Sequence, residues 1–200
     1  MFLLGLLVLC VATVPPAGGR LGRLSELSFR RKWAALAALA LQFSIMKLFP
    51  EGSHGLHGGL HLASYGLVFY FLAANLHVPG LWLIGIGGAC NGIAIAVNGG
   101  VMPAHPGALA TAGITQRPGE FVNSGAVEDP RLWFLGDVFA LPAGWPAANV
   151  FSVGDLVLVL GAFVLLHRQS RSRIGEALGA RAKLLRDSGG GLPDLPRSPL

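Results

Sequence analysis

The chain is short of charge. Of its 200 residues only 12% are Asp, Glu, Lys or Arg, about half the share found in a soluble domain. No polar stretch is long enough to build a second folded unit. Cysteine is scarce too. Cys10 and Cys90 both fall inside apolar runs, which excludes a disulfide framework and reads as two small core residues. No glycine-rich phosphate loop follows a strand, and there is no Ser-His-Asp elbow. No internal repeat occurs.

Apolar sequence is what remains. Hydrophobic residues make up 52% of the chain, and the mean hydropathy is +0.59. Five long runs stand out: Met1 to Val14, Trp33 to Phe49 (interrupted by Lys47), Leu60 to Leu76, Leu81 to Val97 and Phe151 to Leu166. A spanning helix takes about 20 residues, so the first and last runs must recruit their flanks. Lipid cannot satisfy open backbone groups, so each run should be helical. The pattern predicts an all-α, polytopic membrane protein of about five transmembrane helices. They cover about 1–18, 33–49, 60–76, 81–97 and 151–166, within a membrane domain of residues 1–167. Segment 98–150 is a partly ordered outer segment. Residues 168–200 form a cytoplasmic tail, disordered from Asp187 onward, where Gly and Pro accumulate.

Basic residues set the orientation. Arg20, Arg23, Arg30, Arg31 and Lys32 follow the first run, and Arg168, Arg171, Arg173, Arg181, Lys183 and Arg186 follow the fifth. Four crossings separate the two groups and return them to one side. This predicts the N-terminus outside and the C-terminus inside. The charges adjoin membrane spans, which favours lipid headgroups over nucleic acid. The first run reads as an uncleaved helix, because no Lys or Arg precedes it and Val11-Ala-Thr-Val-Pro-Pro is a poor cleavage site. Pro15 to Lys32 is a basic loop with an interfacial helix around Leu21 to Phe29. Pro50 to Gly59 is an outer loop, and Pro79-Gly80 breaks one helix before the next. Gly88 and Gly92 form a small-xxx-small pair suited to packing inside the bundle.

Two acids carry the chemical interest. Asp155 opens the last apolar run, and Asp137 lies eighteen residues upstream, between Trp133-Phe-Leu-Gly and Val-Phe-Ala-Leu-Pro. Asp155 can serve simply as a helix N-terminal acid. Asp137 is harder to explain so, because an ionised carboxylate in apolar surroundings is costly unless paired. Two carboxylates brought together have their pKa values pushed apart, so one can act as acid and the other as base. Asn98, Asn123 and Asn149 are candidates to orient a substrate, with Asn98 also placed to end a helix. His54, His57 and His61 would share one helix face and are a weak metal candidate. Gly55, Gly58 and Gly59 disfavour a helix there, so neither a metal nor a cofactor is expected. His167 reads as an interface residue beside Arg168.

Several motifs carry a resemblance. His61-Leu-Ala-Ser-Tyr65, Pro79-Gly-Leu-Trp-Leu-Ile, Asn98-Gly-Gly-Val-Met-Pro, Asn123-Ser, Leu135-Gly-Asp and Val150-Phe-Ser-Val-Gly-Asp155 together resemble a bacterial multipass family, domain-of-unknown-function family 5317, from about Leu21 to His167. That resemblance implies the bacterial inner membrane and no established activity. More locally, Trp145-Pro-Ala-Ala-Asn-Val-Phe-Ser-Val-Gly-Asp-Leu-Val-Leu-Val-Leu-Gly161 is similar to the last motif of lipoprotein signal peptidase, signal peptidase II. The likeness puts Asp155 at the catalytic Asp and Asp137 near the other. The chain departs from that family in lacking an Asp-Arg pair after the Asn91 region, in carrying Gly154 where Ala is usual, and in its longer outer segment.

The sequence therefore leads to an inner-membrane protein with an outer-face aspartate pair. It is either an aspartyl hydrolase acting on a membrane-anchored peptide or lipid, or a non-enzymatic scaffold or subunit of a larger membrane complex. The bilayer itself is the expected partner, and nucleic acid is not.

Overall fold

The computed structural model of the chain describes residues 2–45, 54–115 and 124–189. Most of them are helical: α1 (Phe2–Ala12), α2 (Lys32–Phe43), α3 (His54–Ala74), α4 (Leu81–Val97), α5 (Pro106–Ala112), α6 (Val153–Gln169) and α7 (Arg173–Gly189). The long helices pack in a row: α2 on α3, α3 on α4, α4 on α6 and α6 on α1.

Glycine decides the centre of that row. A Cβ on Gly87 of α4 would lie 2.6 Å from the Gly154 carbonyl oxygen, and one on Gly161 of α6 would lie 2.7 Å from the Ile84 nitrogen. The two helices pass too closely for side chains at these positions, the mode of approach that small residues permit. Gly92 turns the other way, toward the Tyr65 ring of α3, 3.0 Å from an added Cβ. Gly88 and Gly92 thus meet α3, within this chain.

Among the described residues, no single helix is long and apolar enough to cross a membrane on length and composition. Helices α6 and α7 meet that test together, but they bend by 101° at the break. The shortfall has local causes. Helix α1 ends before Pro15-Pro16, and His and Gly dilute α3. Helix α4 stops at Val97, because Gly99 and Gly100 turn the chain with φ of 70° and 93°. Its 17 residues span about 26 Å.

Four expectations need correction. Helix α3 starts at His54, so part of the expected 50–59 loop is helical; residues 46–53, with Lys47, lie outside the described residues. Gly58 costs helix propensity but serves packing: a Cβ there would sit 2.6 Å from the Gly99 carbonyl oxygen. The expected interfacial helix is a 3-10 helix over Leu21–Glu26. The tail is helical through α7, which includes Asp187 and Ser188; residues 190–200 are outside the description. His167 is fully buried rather than interfacial. Its Nε2 lies 3.1 Å from Thr13 Oγ1 and its Nδ1 lies 2.7 Å from Ser172 Oγ, so it joins the ends of α1, α6 and α7.

The fold is also not wholly α. Between α4 and α6, β1 (Met102–Pro103) pairs in parallel with β2 (Ser124–Gly125), and β3 (Phe139–Leu141) pairs antiparallel with β4 (Asn149–Phe151). Helix α5 covers them through Ala104, Ala108, Leu109, Ala112 and Val150. Two asparagines then tie loops to helix ends in the same way. Asn75 exchanges two hydrogen bonds of 2.8 Å with the backbone of Arg30, and Asn98 exchanges bonds of 2.8 and 2.9 Å with that of Arg131. Each also donates to the carbonyl four residues back.

Candidate functional site

Asp155 is placed by the start of α6. Ser152 is the N-cap, and its hydroxyl accepts from the Asp155 N–H at 3.0 Å. The Ser152 N–H donates back to Asp155 Oδ2 at 3.0 Å, which completes a capping box. That local arrangement would suffice for a structural acid. A third residue extends it. Asn91, buried in the middle of α4, donates from Nδ2 to Asp155 Oδ1 at 2.8 Å and accepts from the Ser152 hydroxyl at 2.9 Å. Both carboxylate oxygens are therefore held, and α4 is locked to the start of α6. Gly154 makes this possible: a Cβ there would overlap Asn91 Oδ1 and lie 2.8 Å from the Gly87 carbonyl oxygen.

Asp137 is placed from the other side. Its N–H donates to the Pro103 carbonyl at 2.9 Å, and its own carbonyl accepts from the His105 N–H at 3.0 Å. Gly136 lets the chain run against Pro103, whose carbonyl an added Cβ would overlap. The Asp137 side chain is only 6% exposed and accepts a short hydrogen bond from the Ser124 hydroxyl.

The two acids line one cavity of about 440 Å³, with Gln42, His61, Tyr65, Asn91, Ser124 and Asn149 among its walls. Burial pushes the Asp137 carboxyl up to about 6; the Ser124 hydrogen bond opposes that rise, and the negative charge of Asp155 adds to it. Desolvation is thus the leading cause, and the field of the second acid reinforces it. The cavity unites a carboxyl able to hold a proton near neutrality with a second, firmly oriented acid.

The other expected site residues divide. Asn149, on β4, reaches the cavity. Asn98 does not line it; it caps α4 and holds the Arg131 backbone. Asn123 lies outside the described residues. His57 is buried on α3, and His61 lines the cavity, its Nδ1 donating to the Gly100 carbonyl at 2.9 Å. The His54 side chain lies outside the described residues, and among these no three His, Cys, Asp or Glu side chains gather in a metal-binding group.

Asn91, Ser152 and Ser124 were not singled out from the sequence. Asn91 had a readable signal, a strongly polar residue inside an apolar run. Ser152 had one too, at the S-x-x-D spacing of a capping box. Ser124 had only its place in the Asn123-Ser motif; the β1–β2 pairing is what brings it to Asp137.

No solved structure matches the chain. An uncharacterized protein of Thermotoga maritima is 30% identical over 101 residues, covering 50% of this chain and 58% of that protein. The chain spans little more than half the length of this relative. A family of unknown function, DUF5317, matches residues 26–167, and the chain belongs to that family.

Proposed function

We propose that the chain is a multipass protein of the bacterial inner membrane and an aspartyl hydrolase, with Asp137 and Asp155 as its acid–base pair. The carrying observation is the shared cavity, in which two acids in unlike settings face the same space. In the proposed reaction Asp155 takes a proton from water, and the water oxygen bonds to the carbonyl carbon of an amide or ester. Asp137 gives its proton to the leaving nitrogen or oxygen as that bond breaks. An acid and an amine or alcohol result, and the proton on Asp155 returns to Asp137 through solvent. Such acid–base assistance is worth about 10²- to 10⁴-fold. Asn149 is placed to orient the substrate at the cavity wall.

The membrane assignment is supported by an inverted distribution of side chains. Leu4, Val8, Leu36, Leu39, Ile86, Ile93, Leu156 and Leu160 are exposed on the helices, while His57, His61, Ser64, Asn75, Asn91 and His167 are buried. An apolar exterior of this extent calls for a covering. Trp33, Tyr70 and Trp82 are exposed near one set of helix ends, and Trp133, Phe139 and Trp145 are exposed in the 98–150 segment. Aromatic residues of this kind suit the two interfaces of a bilayer. Helices somewhat short of the hydrocarbon thickness are accommodated by local thinning.

The test uses full-length protein in detergent with fluorogenic membrane-anchored peptides and lipid esters, assayed from pH 5 to 8. Hydrolysis is expected to fall as pH rises through about 6, because Asp137 must carry its proton. It is expected to vanish in a folded Asp155→Asn protein. Equal hydrolysis by wild type and Asp155→Asn, or none by either, contradicts the hydrolase assignment and favours a scaffold.

A further inference from the structure

At the other end of α6, far from the aspartate cavity, three arginines converge. Arg20, Arg23 and Arg171 line a notch of about 190 Å³ together with Gly18 and Ser170. Among the described residues, no carboxylate forms an ion pair with any of the three. Like charges held around one small space repel one another, and only an anion between them reverses the sign.

Backbone hydrogen bonds fix the chain that carries these arginines. The Arg20 N–H donates to the Ser170 carbonyl at 3.0 Å, the Gly19 N–H to Val14 at 3.0 Å, and the Arg173 N–H to Ala17 at 2.9 Å. Val14 and Ser170 are buried. A Cβ on Gly19 would lie 2.7 Å from Ser170 Oγ, so the chain passes directly over the end of α6. Gly18 (φ 78°) and Arg171 (φ 51°) both adopt the left-handed conformation, which is unfavourable for an arginine. The carbonyl end of α6 attracts a cation in any case. Arg168 already serves the α6–α7 junction, donating to the Gly175 carbonyl at 3.2 Å. Three further guanidinium groups exceed what helix termination needs.

We propose that this notch binds a phosphate group, gripped by the donor forks of Arg20, Arg23 and Arg171. Guanidinium groups match phosphate oxygens in pairs of parallel hydrogen bonds. The phosphate can belong to an anionic lipid headgroup or to a soluble phosphate. Leu21, next to Arg20, and Ile174, three residues after Arg171, are exposed and would meet acyl chains, which favours the lipid. The phosphate site stands independently of the hydrolase assignment, because it uses none of the cavity residues.

Full-length protein in a neutral detergent is melted with short-chain phosphatidylglycerol, short-chain phosphatidylcholine or inorganic phosphate. Phosphatidylglycerol is expected to raise the melting temperature by several degrees, with phosphatidylcholine doing much less. An equal shift with inorganic phosphate would support the site and assign it to a soluble ligand. Arg20→Gln is expected to weaken the effective affinity at least tenfold. Arg171→Gly removes a guanidinium while relieving the left-handed strain, so without ligand it should melt no lower than wild type, yet lose the shift. No shift with either phosphatidylglycerol or phosphate, or a shift that persists in both variants, overturns the proposal. Loss of the shift without loss of hydrolysis separates this site from the aspartate pair.

Discussion

Asp137→Asn is expected to stabilise the protein at neutral pH while sharply reducing hydrolysis. The carboxyl titrates near 3.8 in an unperturbed setting and is pushed up to about 6 in the fold. Between those values the native state holds more protons than the unfolded state, so stability falls as pH rises through this window. Well below pH 3.8 both states are protonated, and Asp137 imposes no penalty. Above pH 6 the native state carries a buried charge, at a cost of about 2–3 kcal/mol on the scale of 1.36 kcal/mol for each unit. Asn keeps the shape and leaves the Ser124 hydroxyl an acceptor, so the gain should be full at pH 7.5 and small at pH 4. Denaturant unfolding at the two pH values measures it. Activity should drop by about 10³-fold, because an amide cannot deliver the proton. Stability lost by a catalytic group and regained on its removal is the expected trade-off at a functional site.

Gly154→Ala is expected to destabilise the fold by about 3 kcal/mol, at the upper end of the usual cost of overpacking. Alanine has the better helix propensity, by about 1 kcal/mol at most, so an exposed glycine here would give the opposite sign. The added methyl would overlap Asn91 Oδ1 and crowd the Gly87 carbonyl. Either α4 and α6 separate, or Asn91 swings away and releases Asp155. Asn91→Ala vacates part of the space, so the second substitution should cost less in that background, a coupling that a double-mutant cycle reads directly.

Much of the fold was legible because apolar runs leave few options. The runs at 81–97 and 151–166 became helices close to the expected limits, α1 stopped at Ala12, and Pro79-Gly80 broke the chain where expected. Helix α3 began earlier than expected because propensity was set against Gly55, Gly58 and Gly59, whereas Gly58 is there to admit the Gly99–Gly100 turn. His167 looked like a flanking residue because α7, which folds back over it, left no apolar run to find. At the site, Asp137 and Asp155 were visible as acids in costly surroundings. Their partners lie on other elements: Asn91 is 64 residues from Asp155, and Ser124 reaches Asp137 through a strand pairing. Such long-range pairings carry no local spacing rule.

The most direct measurement is an infrared titration of the Asp137 carboxyl in the full-length protein, identified by its loss in Asp137→Asn and repeated in Asp155→Asn. If the two acids form one coupled site, Asp137 titrates near 6 in the wild type and lower once the Asp155 charge is gone. A midpoint near 4 that does not move when Asp155 is replaced would contradict a functional pair.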